Sequence, residues 1–437
     1  MKRHITLRHW FFASALWLAA ISLLGIAMRL SFVGQPVLKL PFQNVLHAHS
    51  HVAFFGWMGS GLMGLFYYFL KTDKEKLFKS NSFKKHETAT FWLLQTFTLG
   101  AFIAFLAQGY ALFSIIFSTL HIFLWYYFAW HIWPRFKNHT ENISFLFLKT
   151  AVIFLLLSSL GTWALPPIMI KMPDSFLKRA AIDFFVHTFS DGWLVTASLG
   201  FLFAVSGVFK TSLPNGEKFL KINFALMIPA VLLSSLRSVL PDLPHALQII
   251  VISAGVLLGI LHLHTIWLFK SELHRTIFKV VFGFLFLKAL MEISGALPGG
   301  AALMQNRFVI IAYLHIKLIG IASIALTGAM YAFKKPRVDF LKGEVLKTVV
   351  AEKLFIAGGI LMSAALGAIC LPAILPHEFL KDFAGSIVVY GQYGAIAAGG
   401  LILASGVKIM ISMSDFPSGK FLKEKTSVNM DFGEKLM

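Results

Sequence analysis

Runs of about 20 apolar residues, separated by short polar connections, recur along the whole chain and constrain its fold more than any other feature. A run of that length matches the hydrocarbon core of a bilayer at 1.5 Å rise per residue. Twelve such runs are legible, roughly 10–33, 45–70, 89–110, 112–133, 147–167, 181–208, 222–240, 246–269, 277–296, 308–333, 349–373 and 384–411. The expected fold class is therefore all-α, a polytopic membrane bundle of about twelve helices. Residues 1–411 form a single transmembrane domain, and 412–437 a polar cytoplasmic tail. Composition agrees, with 57% hydrophobic residues, 14% charged and a mean hydropathy of +0.75 over 437 residues. A soluble globular chain carries about 25% charged residues, so a soluble enzyme is excluded.

The formal net charge of +19 raises the question of nucleic acid. The Lys and Arg residues, however, sit in clusters between apolar runs, which is how a spanning chain orients itself. The stretches Lys71 to Lys85, Arg135 to Lys137, Lys210 to Lys221, Lys270 to Lys279 and Lys334 to Lys347 are basic, and the alternate connections are short and poor in Lys and Arg, apart from Lys171, Lys178 and Arg179. Both termini are thus expected in the cytoplasm, with each even-numbered helix running inward and the lipid bilayer as the partner instead of nucleic acid. The basic N-terminus continues into an apolar run without a small-residue cleavage site and reads as the first retained span. Cys370 is the only cysteine, so any metal or cofactor must be held by His, Met or oxygen ligands.

Histidine inside a span is costly unless it is ligated, hydrogen-bonded or functional. Three spans share one pattern: His51-x4-Gly56-Trp57, His187-x4-Gly192-Trp193 and His315-x4-Gly320. The separations, 187 − 51 = 136 and 315 − 187 = 128 residues, each correspond to four helices. Pseudo-threefold repeats of four helices follow, with the three histidines at one depth around a shared centre. Neutral imidazole suits Fe, Cu and Zn, and His from two facing helices can hold a haem. A small residue beside each His would let a flat macrocycle approach the backbone. Simple interhelical hydrogen bonding is the plain alternative.

These residues resemble the haem–copper oxidase subunit I superfamily, which includes the large subunits of nitric oxide reductases and cytochrome c oxidase. The resemblance rests on the order of His-bearing helices 2, 6 and 10, on Gly61-Leu-Met63-Gly64-Leu-Phe-Tyr67-Tyr68, on His187 followed by Asp191 and Gly192, and on His315-x4-Gly320. It implies a low-spin, bis-His haem b held by His51 and His315, with His49 an alternative to His51. It leaves His187 as a ligand to a second metal, without its usual partners. Aligned on the glycine, Tyr313 stands where the family has its proximal haem ligand, and helix 7 offers no His pair. Oxygen or nitric oxide reduction is therefore not expected. Electron transfer or a role linked to a redox-active gas is, with a quinol or cytochrome donor, in a bacterial inner membrane. The His47-Ala-His49 opening also resembles the NnrS-like haem proteins of the nitric oxide response. A cofactor-free transporter, with Lys288, Glu292 and Lys317 lining its path, is the reading from another class.

Among the remaining polar residues, His47 and His51 are four apart, as in a two-ligand metal site at the outer surface. Lys288 and Glu292, spaced i, i+4, can neutralise each other, and Asp191 can orient the His187 ring. Arg179, Arg237 and Arg307 are placed to meet haem propionates. His262 and His264 fall near the inner end of helix 8. No role is assigned to His121 or His131.

Overall fold

The computed structural model describes residues 5–70, 81–138, 143–208, 211–303, 306–332, 344–374 and 384–414. Much of the basic stretches at 71–85 and 334–347, and the tail beyond 414, lie outside the described residues. Among the described residues the chain is helical and contains no strand. Twelve long helices follow the apolar runs: α1 Leu7–Phe32, α2 Phe42–Phe69, α3 Asn81–Gln108, α4 Leu112–Ile132, α5 Ile143–Lys171, α6 Phe176–Ser206, α7 Gly216–Asp242, α8 His245–Leu268, α9 Thr276–Ala296, α10 Arg307–Met330, α11 Glu344–Ile374 and α12 Ala384–Ser414. Eleven are long and apolar enough to cross a membrane. The twelfth, α9, carries Lys279, Lys288 and Glu292.

The three His-bearing helices occupy the centre. In α2, α6 and α10, 78%, 89% and 67% of the apolar window is buried, against 39–61% in the other measured spans. A lipid-exposed face needs no polar complement, whereas a helix surrounded by protein must pack on all sides. The peripheral helices close around this trio, with α12 packing against both α11 and α1.

Repetition extends to the backbone. Each central helix switches from α to π geometry within two residues after its histidine, over Ala53–Gly59, Thr188–Val195 and Ile316–Ser323. A π turn inserts an extra residue and frees backbone groups, so it persists only where packing or side chains compensate, and it is frequent at functional sites. Thr196 supplies one such compensation by donating its hydroxyl to the Asp191 carbonyl at 3.0 Å.

The glycine of each His-x4-Gly motif lies in its π segment, and a Cβ there would come within 3.0 Å of an aromatic ring from the preceding helix. Gly56 faces Trp17 of α1, Gly192 faces Phe154 of α5 and Gly320 faces Phe284 of α9. The aromatic positions are themselves spaced 154 − 17 = 137 and 284 − 154 = 130 residues apart, again four helices. Each repeat thus presses an aromatic from its first helix onto the glycine of its second. The space that the small residue opens is filled by this ring, which corrects the expectation that it admits a flat macrocycle.

Candidate functional site

His187 and the π segment that follows it on α6, with Ser190 and Asp191, reach a buried meeting point of α6, α7, α8, α9 and α10. His187 Nδ1 lies 2.8 Å from Asp191 Oδ2, one turn along the same helix. Its Nε2 meets Ser234 Oγ of α7 at 2.9 Å. Because a carboxylate only accepts, Nδ1 carries a proton, and Asp191 fixes the ring orientation as the i, i+4 spacing led one to expect.

Asp191 is the hub. Lys317 of α10 reaches Oδ2 at 2.9 Å and donates to Ser190 Oγ at 2.8 Å. Lys288 of α9 reaches Oδ1 at 3.1 Å and Glu292 Oε1 at 3.2 Å. Arg237 of α7 pairs with Glu292 Oε2 at 2.7 Å and donates to the Glu292 carbonyl at 3.2 Å. Tyr313 of α10 donates its hydroxyl to Glu292 Oε1, and the Lys317 ammonium lies 4.3 Å from the centre of the Tyr313 ring. His262 of α8 sits 3.5 Å from Lys288 Nζ. It therefore belongs to this cluster and not to the periphery at the end of its helix.

Asp191, Glu292, Lys288 and Lys317 are all at most 3% exposed. Isolated charges at such burial would be prohibitive, and the network answers by pairing every carboxylate oxygen with a cation. With His187 neutral, three cations face two carboxylates. His187, Asp191 and Glu292 also bring one ligand atom each within 4.8 Å of one another, so the group could hold a metal ion. In the geometry seen, the negative charge that a metal would neutralise is already neutralised by Lys288, Lys317 and Arg237.

A second polar locus lies where α1, α2, α10 and α12 meet. His49 Nδ1 contacts the Ile21 carbonyl of α1 at 2.9 Å, and its ring lies against Gly25, where a Cβ would come to 3.2 Å of Cε1. His315 Nδ1 contacts the Ile311 carbonyl at 2.7 Å. A carbonyl only accepts, so both rings carry their proton on Nδ1 and keep a bare lone pair on Nε2. No hydrogen bond to either Nε2 is found among the described residues. His49, His315 and Arg29 of α1 are electrostatic neighbours, and Arg29 donates to Gln392 of α12 at 3.0 Å.

His51 has different company. Its Nδ1 donates to the His47 carbonyl at 2.9 Å, so its Nε2 accepts from the Tyr110 hydroxyl at 3.0 Å, and the ring packs on Phe105 at 4.1 Å. His47 stands edge-on to the same Tyr110 at 4.6 Å. His49, not His51, therefore keeps company with His315. Two of the arginines expected to meet propionates are otherwise engaged, Arg179 with Asp242 at 2.7 Å and Arg237 with Glu292, while Arg307 lies over Phe42. Arg29, the one Lys or Arg in the first span, has no place in the repeat pattern, and a lone cation at that depth is the signal in the sequence that marks it.

Fold and site together define a polytopic all-α membrane protein with a buried His/Asp/Glu cluster able to hold a metal ion. Neither a model of a protein family nor a curated protein matches the sequence.

Proposed function

We propose that the chain is a haem-binding electron-transfer protein of a bacterial inner membrane, built on the plan of haem–copper oxidase subunit I. In this reading, His49 and His315 are the axial ligands of one low-spin haem b. The observation that carries it is the matched preparation of these two rings. Each is held by an Nδ1–H···O=C bond and presents a bare Nε2, the arrangement that orients imidazole ligands in metal proteins. Arg29 supplies a cation within electrostatic reach of both rings, suited to a carboxylate of the cofactor. Two neutral imidazoles leave iron without an open position, so the bound group supplies one-electron transfer and not gas reduction. A quinol or a cytochrome is the donor in this reading.

The second metal centre of the family has, in this reading, been replaced by ion pairs. Tyr313 turns to Glu292 instead of offering a ligand, and Lys288 and Lys317 engage both oxygens of the Asp191 carboxylate beside His187. The same buried charges favour, as a second reading, a cofactor-free transporter. An absorption spectrum of the full chain, purified from haem-supplemented cells, separates the two. The haem reading expects a Soret band and a sharp reduced α-band, both lost in His49→Ala and in His315→Ala. A colourless wild-type protein overturns it in favour of the transporter.

A further inference from the structure

Polar residues on α6 recur at every fourth position: Arg179, Asp183, His187 and Asp191. Residues at i, i+4, i+8 lie along one helical face. The facing stretch of α7, running the opposite way, offers Asp242, Ser238 and Ser234, also four apart. The structure joins them rung by rung. Arg179 pairs with Asp242 at 2.7 Å, Ser238 donates to Asp183 Oδ2, and His187 Nε2 meets Ser234 Oγ at 2.9 Å. Each step of four along α6 is matched by a step of four back along α7. Below the third rung, His187 contacts Asp191 and the seam ends in the buried charge cluster.

Exposure falls steadily along this line. The side chains of the first rung are 53% and 40% exposed, the second rung is half-buried, and His187 and Asp191 are 8% and 1% exposed. At the exposed end, a shallow surface pocket of roughly 390 Å³ is lined by Asp174, Lys178, Arg179 and Asp242 together with the apolar Phe176 and Ile182. The seam therefore connects an open surface pocket of mixed polarity with the buried cluster.

We infer that this seam is an aqueous entrance, admitting water and the protons it carries from the Arg179 face to the buried cluster. Two helices in lipid can associate through small residues and van der Waals packing alone, so three consecutive polar rungs are not required for adhesion. Hydroxyl, carboxylate and imidazole groups both accept and, when protonated, donate. A chain of them suits water and protons better than larger solutes. The seam is independent of whether haem binds at His49 and His315, because none of its residues touches that locus.

The test uses the full chain in sealed proteoliposomes, with Cys370→Ala removing the native thiol. Ser238→Cys and Ser234→Cys place near-isosteric thiols at the second and third rungs. Leu233→Cys, at the same level but 36% exposed on the outside of the bundle, is the control. Silver ion, a thiol reagent close to water in size and membrane-impermeant, is added on one side at a time in chloride-free buffer, and the remaining free thiol is counted. The entrance is expected to give modification from the Arg179 side only, with Ser238→Cys fastest, Ser234→Cys slower, and both at least tenfold faster than Leu233→Cys. Two rung thiols that react no faster than the control, from either side, mean a dry adhesive zipper and overturn the inference. Equal rates from both sides would overturn the one-sided entrance.

Discussion

Lys317 Nζ lies 2.9 Å from Asp191 Oδ2, and both residues sit in π-helical segments, one on α10 and one on α6. The bond therefore ties two of the three repeats together at the point where each departs from α geometry. Breaking a buried pair by removing one partner leaves an uncompensated charge and costs roughly 3 kcal/mol. Asp191→Asn, which leaves Lys288, Lys317 and Arg237 facing the single carboxylate of Glu292, is accordingly expected to destabilise the protein by about that amount, read as a lowered unfolding midpoint in detergent. Adding Lys317→Met to Asp191→Asn should recover part of the loss, because one of the cations left without a carboxylate is then removed. Strictly additive losses would show that the two residues do not depend on each other.

The repeat glycines lead to a second expectation. Gly192→Ala would press a methyl group onto Phe154, and overpacking of this kind typically costs about 1–3 kcal/mol. Gly56→Ala against Trp17 and Gly320→Ala against Phe284 should behave alike. Gly283→Ala on α9 is the comparison, because nothing lies within 4 Å of its added Cβ. That change should be neutral, or stabilising by up to about 1 kcal/mol through helix propensity. Thermal stability of the four variants decides the matter, and indistinguishable midpoints would remove the packing account of the motif.

For the imidazoles, the discriminating variant is His51→Ala. Its Nε2 is already bonded to Tyr110, so its loss should leave the reduced α-band in place while His49→Ala abolishes it. The reverse pattern would return the ligand role to His51. His187→Ala should also leave that band largely unchanged, since its ring is held between Asp191 and Ser234.

Orientation can be checked without any cofactor. With Cys370 replaced, single cysteines in the stretch Lys71 to Lys85 should be shielded from an impermeant thiol reagent in intact cells. Cysteines between Leu297 and Arg307 should react. The opposite pattern would invert the charge-based topology and move the Arg179 face to the cytoplasm.

Much of this was legible before any coordinates. Span positions followed from run length, because a bilayer imposes a fixed thickness on every helix. The His187–Asp191 and Lys288–Glu292 pairs followed from the i, i+4 rule, which needs only one helix. The triple His-x4-Gly pattern located the three central helices through identical local wording. What escaped were relationships between helices. Arg237 was read as a partner for propionates and instead serves Glu292, and His262 was set aside although it sits beside Lys288.

Run length and motif spacing alone specify a membrane protein of twelve helices with a threefold pattern, since lipid selects helices by length and apolarity and the repeat is written in spacing. Packing between helices, and nothing within one span, puts aromatic rings against the repeat glycines, brings His49 within electrostatic reach of His315, and gathers two lysines from different helices on Asp191. The physical reason is that the rotation and depth of each helix are set by its neighbours. A shift of one residue turns a side chain by about 100° around the axis, and no periodicity within a single span fixes that angle.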